Sequence, residues 1–213
     1  MRRGPPPSCG IERADSITFD PHKGLFLPYG TGCLLVRDGE QLRRAHAAGA
    51  DYLQDFDAME RAGEPPSPAE HGPELSRDYR GLRVGLPLML HGARAFRDAL
   101  AEKLVLAQRL HAGLQALIAA GAPLEIVAAP QLTVVPFRLQ RRDGEALTTW
   151  NARSAALLQA INEHRRVYLS STALPVADGL AFTLRACVLS FRTHARQVDA
   201  CVADVERALG AMR

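Results

Sequence analysis

Ala14-Asp15-Ser16-Ile17-Thr18-Phe19-Asp20-Pro21-His22-Lys23-Gly24 is the stretch from which the first part of this 213-residue chain is read. Polar and apolar side chains alternate over Ser16–Phe19, as in a short strand, and Pro21 stops it. Lys23 then falls on a turn behind a buried strand, where a pocket can hold it. Burial there lowers an amine's pKa and frees it for imine formation. His22 beside it can contact a phosphate or tune such an imine. From the His-Lys pair alone, a surface turn lysine is the ordinary reading.

Outward from this stretch, residues 1–10 (MRRGPPPSCG) are rich in Pro and Gly and read as disordered. A Gly-containing loop at 25–31 leads to a second buried strand, Cys33–Val36, a turn at 37–39 and a short helix over 40–48. Residues 50–76 carry seven acidic side chains and four prolines, which predicts a mobile flap loop. Apolar residues from Phe96 to Leu117 recur every three or four positions and predict a helix over 88–119, ended by Gly121 and Pro123. Strands are predicted at 124–128 and 132–139. A helix capped by Thr148 or Asn151 runs to Glu163, strands follow at 166–169 and 182–189, and an amphipathic helix spans 197–212. The body from about residue 85 is therefore an α+β domain with a small, mainly antiparallel sheet covered by helices. The two strands before residue 40 look like the end of a larger sheet.

Composition excludes several classes. The net charge of +3 arises from 26 basic and 23 acidic side chains spread along the chain, so nucleic acid is not the expected partner. Cys9, Cys33, Cys187 and Cys201 show no metal-ligand spacing, so no metal is expected and the thiols read as reduced in a cytoplasmic protein. No run of about 18 apolar residues exists, so no membrane span is expected. No signal peptide is visible at the start.

The wider string ADSITFDPHKGLFLPYGTGCLLVRD, residues 14–38, closely resembles the cofactor-lysine region of the group II pyridoxal-phosphate decarboxylases, of the aromatic-L-amino-acid and glutamate decarboxylase type. Two more segments are similar to that family: ELSRDYRGLRVGLPLMLHGARAFRDAL (74–100) and FTLRACVLSFRTHARQVDACVADVERAL (182–209). The resemblance implies an α/β fold. The last strands of a fold-type I large domain (11–49) would be followed by the flap (50–76) and by a helix with a small α+β domain (77–213). It implies a carboxy-lyase of amino-acid metabolism that uses pyridoxal 5'-phosphate, takes an amino-acid substrate and works as a homodimer.

Carried over residue by residue, the resemblance puts the cofactor imine on Lys23. It puts a cofactor-contacting histidine at His22 and the residue leading into that turn at Asp20. Arg185 matches an arginine that binds the substrate carboxylate in the glutamate-decarboxylase branch, and Arg77 matches an arginine after the flap. The bland alternatives are a solvent-facing strand arginine for Arg185 and a surface ion pair for Arg77. Gly24 stands where the family often has a bulky residue, a departure that bears on pocket width and specificity.

The family's phosphate-binding residues and the aspartate that pairs with the pyridine nitrogen lie upstream of the lysine. The flap tyrosine that protonates the carbanion has no counterpart between Gln54 and Arg77, and Tyr52 and Tyr79 lie only at the edges. The chain alone is therefore expected to lack decarboxylase activity. Its rivals are a non-catalytic remnant that serves as a dimerisation piece, and an aldehyde synthase using the same cofactor.

Overall fold

The computed structural model describes residues 10–46 and 67–212. The chain forms two compact units, Met1–Leu90 and His91–Arg213.

In the first unit, a 3-10 turn at Ile11–Arg13 precedes β1 (Ser16–Phe19), which pairs antiparallel with β2 (Cys33–Val36), Ser16 opposite Val36 and Phe19 opposite Cys33. The sequence predicted both strands with these limits, the first from alternation and the second as an apolar run. It also predicted burial, and here the structure differs: Phe19, Leu34 and Leu35 are exposed. Among the described residues each strand pairs only with the other, and a two-stranded ribbon has no layer of its own to cover its faces. Arg37 fastens the open end. Its backbone N–H donates to the Asp15 carbonyl (2.9 Å) and its guanidinium to the carbonyls of Glu12 and Ala14.

The segment expected as a turn around Lys23 is a one-turn helix, α1 (Pro21–Gly24). Proline at its first position is pre-set for helical φ and lacks only an N–H that would have had no helical partner. α2 (Gly39–His46) opens under Asp38, whose Oδ1 accepts from the Glu40 N–H at 3.1 Å. The expected end of this helix at residue 48, and the flap from 50 to 66, lie outside the described residues. From Ser67 the flap's last part is ordered by short-range bonds. Ser67 Oγ accepts from the Ala69 N–H, opening a 3-10 turn at Pro68–Glu70.

The long helix α3 (Leu82–Ala119) begins before the expected Leu88. Its first turn is stitched by Leu82, Val84 and Gly85 donating to the Tyr79 and Gly81 carbonyls, so it passes through Pro87 rather than starting behind it. At Gly92, φ 72 and ψ 152 interrupt the helix, a conformation that glycine adopts without steric cost.

In the second unit a four-stranded antiparallel sheet has the order β3-β4-β6-β5, with β3 at Leu124–Ile126, β4 at Val134–Leu139, β5 at Ser170–Val176 and β6 at Gly179–Cys187. Helices α4 (Leu147–Glu163) and α5 (Ala195–Ala211) complete it. Alternation along β4 buries Val135, Phe137 and Leu139. They share a core with Leu110 and Leu114 of α3, Leu157 and Ile161 of α4, and Val205 of α5. The mainly antiparallel sheet with covering helices is as the sequence implied.

Other boundaries also differ from expectation, and at two of them a side chain replaces a backbone partner. No strand forms at 166–169. That segment leaves α4 through Arg165 at φ 55, and Leu169 closes onto the Asn162 side chain in both directions, at 2.9 and 3.0 Å. Its strand therefore starts at Ser170 and pairs with β6 across Ala177-Asp178, so β6 also begins earlier than the expected Phe182. Neither Thr148 nor Asn151 caps α4, whose N-cap is Ala146. The Asn151 amide instead donates to the Leu180 carbonyl and accepts from the Phe182 N–H, on β6 beyond the last residue that β4 pairs.

Two buried charges are compensated. Asp204 on α5 accepts from Arg166 Nε at 3.0 and 3.1 Å, and burial together with its charge pushes the nearby Cys201 thiol up to about 12. Lys103 on α3 is fully buried, its amine donating to Glu102 (2.7 Å) and to the carbonyls of Thr193 (2.6 Å) and Phe191 (3.4 Å). Hydrogen bonds from His194 and Lys103 hold the Glu102 carboxyl below its usual range.

At Gly113 of α3, a Cβ would lie 2.6 Å from Cγ2 of Val202 on α5. Alanine is intrinsically the better helix former by about 1 kcal/mol, but overpacking costs about 1–3 kcal/mol, and the β-branched Val202 cannot swing aside. Gly113→Ala should therefore lower stability in urea unfolding. Adding Val202→Ala should recover most of the loss arising from the clash; a Gly113→Ala chain as stable as wild type would contradict this contact.

Candidate functional site

The residues of the Asp20–Lys23 turn separate by function. Pro21 is buried, and its carbonyl accepts from the N–H groups of Leu25 (3.2 Å) and Leu27 (3.3 Å). Phe26 turns the chain back at φ 57, its N–H donating to the Lys23 carbonyl. A non-glycine residue in that region is held only by the structure around it, and Leu27 and Thr31 of the same loop are buried.

His22 is fixed from two sides. Its Nδ1 lies 3.0 Å from the Thr31 carbonyl. A carbonyl only accepts, so Nδ1 carries the proton and Nε2 is left without one in the neutral ring. The ring stacks on Tyr29, with centroids 4.6 Å apart. Thr31 Oγ1 donates to the Pro28 carbonyl at 3.0 Å, and the Arg83 guanidinium donates to the Tyr29 carbonyl at 3.4 Å. Gly30 between them sits at φ 82, where a Cβ would come 2.8 Å from Arg83 Nη1. Sequence reading passed over Tyr29 and Thr31. The signal available was a Pro-x-Gly turn directly before a strand, which brings a carbonyl back toward the preceding helix.

Lys23 is set differently from the sequence expectation of a buried, acidified amine. Its side chain is 63% exposed, and Nζ lies 2.5 Å from Asp20 Oδ2. The hydrogen bond to Asp20 raises the Lys23 pKa, and the same bond lowers that of Asp20. A Cβ at Gly24 would meet nothing within 4 Å, so the space beside the lysine is open.

The other two candidates lie elsewhere. Arg77 donates to the main-chain carbonyls of Pro68 and Glu74 (3.0 Å for the latter), tying the loop before α3. Arg185 is half-buried on β6, opposite Pro136 and Ser170, and its Nη1 lies 3.5 Å from Ser170 Oγ. The strand arginine is thus partly covered and partnered.

A primary amine within reach of solvent, on the same turn as an imidazole with one nitrogen uncommitted, suits an aldehyde that also carries an anionic group. A family model described as the pyridoxal-dependent decarboxylase conserved domain matches residues 4–140. The chain belongs to that family. Within the pyridoxal-dependent decarboxylases it is 32% identical over 189 residues to the aromatic-L-amino-acid decarboxylase of Bacillus atrophaeus, covering 89% of this chain and 37% of that protein. It is 28% identical over 177 residues to tyrosine decarboxylase 2 of Arabidopsis thaliana, covering 83% and 31%. The chain thus spans about a third of the length of these relatives. Among solved structures, Oryza sativa TDC with PLP and tryptamine superposes with a TM-score of 0.81 at 20% identity, over 96% of this chain and 40% of that one. Catharanthus roseus tryptophan decarboxylase gives 0.73 at 24% identity, over 96% and 39%. The fold is therefore that of part of a pyridoxal-dependent decarboxylase.

Proposed function

We propose that this chain is the part of a pyridoxal-phosphate-dependent amino-acid decarboxylase that carries the cofactor lysine, Lys23. The observation that carries the reading is the exposed amine of Lys23 on the Asp20-Pro21-His22 turn, inside the segment matched by the family model. When bound, the cofactor supplies an electron sink for the bond to the departing carboxylate. The chain's own residues do the rest. Lys23 offers the amine that anchors the aldehyde carbon. His22, its Nδ1 proton committed to Thr31, presents Nε2 and donates a charge-assisted bond to a phosphate only as imidazolium. Gly24 leaves room beside the lysine. Arg185 is assigned the substrate carboxylate, which requires it to leave or share Ser170. Arg77 enters through the loop that it ties.

An amine product is the first reading. The match to 3,4-dihydroxyphenylacetaldehyde synthase of Aedes aegypti, 27% identical over 191 residues, supports an aldehyde as the second, and a product assay separates the two. Free thiols at Cys33, Cys187 and Cys201 fit a reducing compartment such as the cytoplasm. Among the described residues no helix is long and apolar enough to cross a membrane. A homodimer is proposed from the exposed apolar side chains of the first unit, among them Leu34, Leu35, Leu86, Met89 and Leu90.

Three outcomes are expected. In a full-length enzyme carrying this segment, borohydride reduction with pyridoxal phosphate, followed by peptide mapping, should put the pyridoxyl group on Lys23, whereas a label on Lys103 instead would overturn the assignment. In a full-length enzyme carrying this segment, Arg185→Met should remove a hydrogen bond to a charged group, worth about 1.5–3 kcal/mol. That corresponds to a loss of at least about tenfold in kcat/KM with cofactor still bound; unchanged kinetics would return Arg185 to a structural role. Light scattering at micromolar concentration should find the chain self-associated, and a well-behaved monomer would argue against the dimer.

A further inference from the structure

Asp20 stands at the N-cap of α1, where an aspartate ordinarily turns its carboxylate onto the helix N–H groups. It does not do so here. Its backbone carbonyl accepts the Lys23 N–H at 2.9 Å, its side chain makes no capping bond, and Oδ2 meets Lys23 Nζ at 2.5 Å. The carboxylate is thus diverted from the helix end to the amine. Both groups are substantially exposed, so the pair is not forced by burial.

We propose that Asp20 is the resting partner of the Lys23 amine, a positioning residue that keeps the free side chain as an ammonium ion and so gates its condensation with a carbonyl. This rests on the reading of Lys23 as the imine-forming lysine. Condensation joins nitrogen to the aldehyde carbon and releases the aldehyde oxygen as water, and only the neutral amine attacks. The ammonium proton must therefore leave to solvent first, against the attraction of Asp20. When an amino-acid substrate displaces the lysine, the incoming ammonium brings three protons on nitrogen and Lys23 departs with three. Charge and protons balance, and Asp20 regains its cation. The carboxylate thus slows capture of free cofactor at neutral pH and favours release of the lysine during exchange with substrate. The other titratable groups beside the pair are His22 on the same turn and Tyr29 on the following loop.

The test uses the whole chain and reads the amine, not turnover. Competitive acetylation with trace acetic anhydride across pH 7–10, read by peptide mass spectrometry, reports the neutral fraction of each lysine. Lys23 and Lys103 are the only two; an added peptide with one free lysine is the internal reference, and the buried Lys103 reports that the chain stays folded. Asp20→Asn preserves N-cap chemistry and should speed both acetylation and pyridoxal-phosphate imine trapping at Lys23 about two- to fivefold near pH 8, the scale of an exposed ion pair. Lys103 should not change. Wild-type chain in about 1 M salt, where such pairs are screened, should move in the same direction, which keeps the test decisive should the variant misfold. Identical Lys23 profiles in wild type and Asp20→Asn, or a wild-type profile indifferent to salt, overturn the inference alone. In a full-length enzyme carrying this segment, a borohydride-trapped cofactor on another lysine with Lys23 unlabelled overturns the cofactor-lysine assignment and takes the inference with it.

Discussion

A single helical turn gives adjacent residues different surroundings, and the first unit depends on that constraint. Successive side chains on a helix point about 100° apart. In α1 this sends Pro21 inward, hands His22 to the Thr31 carbonyl and the Tyr29 ring, and leaves Lys23 outward beside Asp20. The β1–β2 ribbon holds the two ends of that arrangement together, since Phe19 and Cys33 are opposite one another. The intervening loop carries the two positive-φ positions, Phe26 and Gly30. An exposed amine is thereby held on a short element whose other members are anchored.

The second unit works by a different economy of bonds. Its sheet is short of strand partners at particular points, and side-chain amides supply them. Asn151 takes the place of β4 along part of β6, and Asn162 closes the chain at Leu169. Lys103 does the equivalent for the loop before α5, binding the carbonyls of Phe191 and Thr193. Unmet backbone groups in a covered sheet are costly, so these three side chains are structural in the strict sense.

That pattern explains what the sequence made legible. The strand at 16–19 was readable from alternation and that at 33–36 from its apolar run, because their limits are set by neighbours in the chain, Pro21 and the Arg37-Asp38-Gly39 turn. The helix ending near 119 was readable from its apolar period and from Gly121. The strand at 170–176 was not, because its start is fixed by the Asn162 amide rather than by any local breaker; the Asp178-Gly179 pair was the overlooked cue. At the site, family resemblance singled out Asp20, His22 and Lys23. The Lys23 environment was misread as buried because the sequence does not say which way one turn of helix faces. The partners of His22, Thr31 and Tyr29, stayed hidden because their bond crosses a loop of nine residues.

Of the 26 basic side chains only two are lysines, and one of these is sealed in the core with all of its amine protons engaged. Positive charge elsewhere on the chain is carried by guanidinium groups, which stay protonated and are poor partners for carbonyl compounds. A promiscuous aldehyde in solution therefore meets a surface almost without competing side-chain amines. Arginine supplies the ion pairs and loop ties that lysine could have made, as at Arg37, Arg77 and Arg141, without offering decoy sites. Any preference of such an aldehyde for Lys23 would arise as much from what the rest of the surface cannot do as from the turn on which that residue sits.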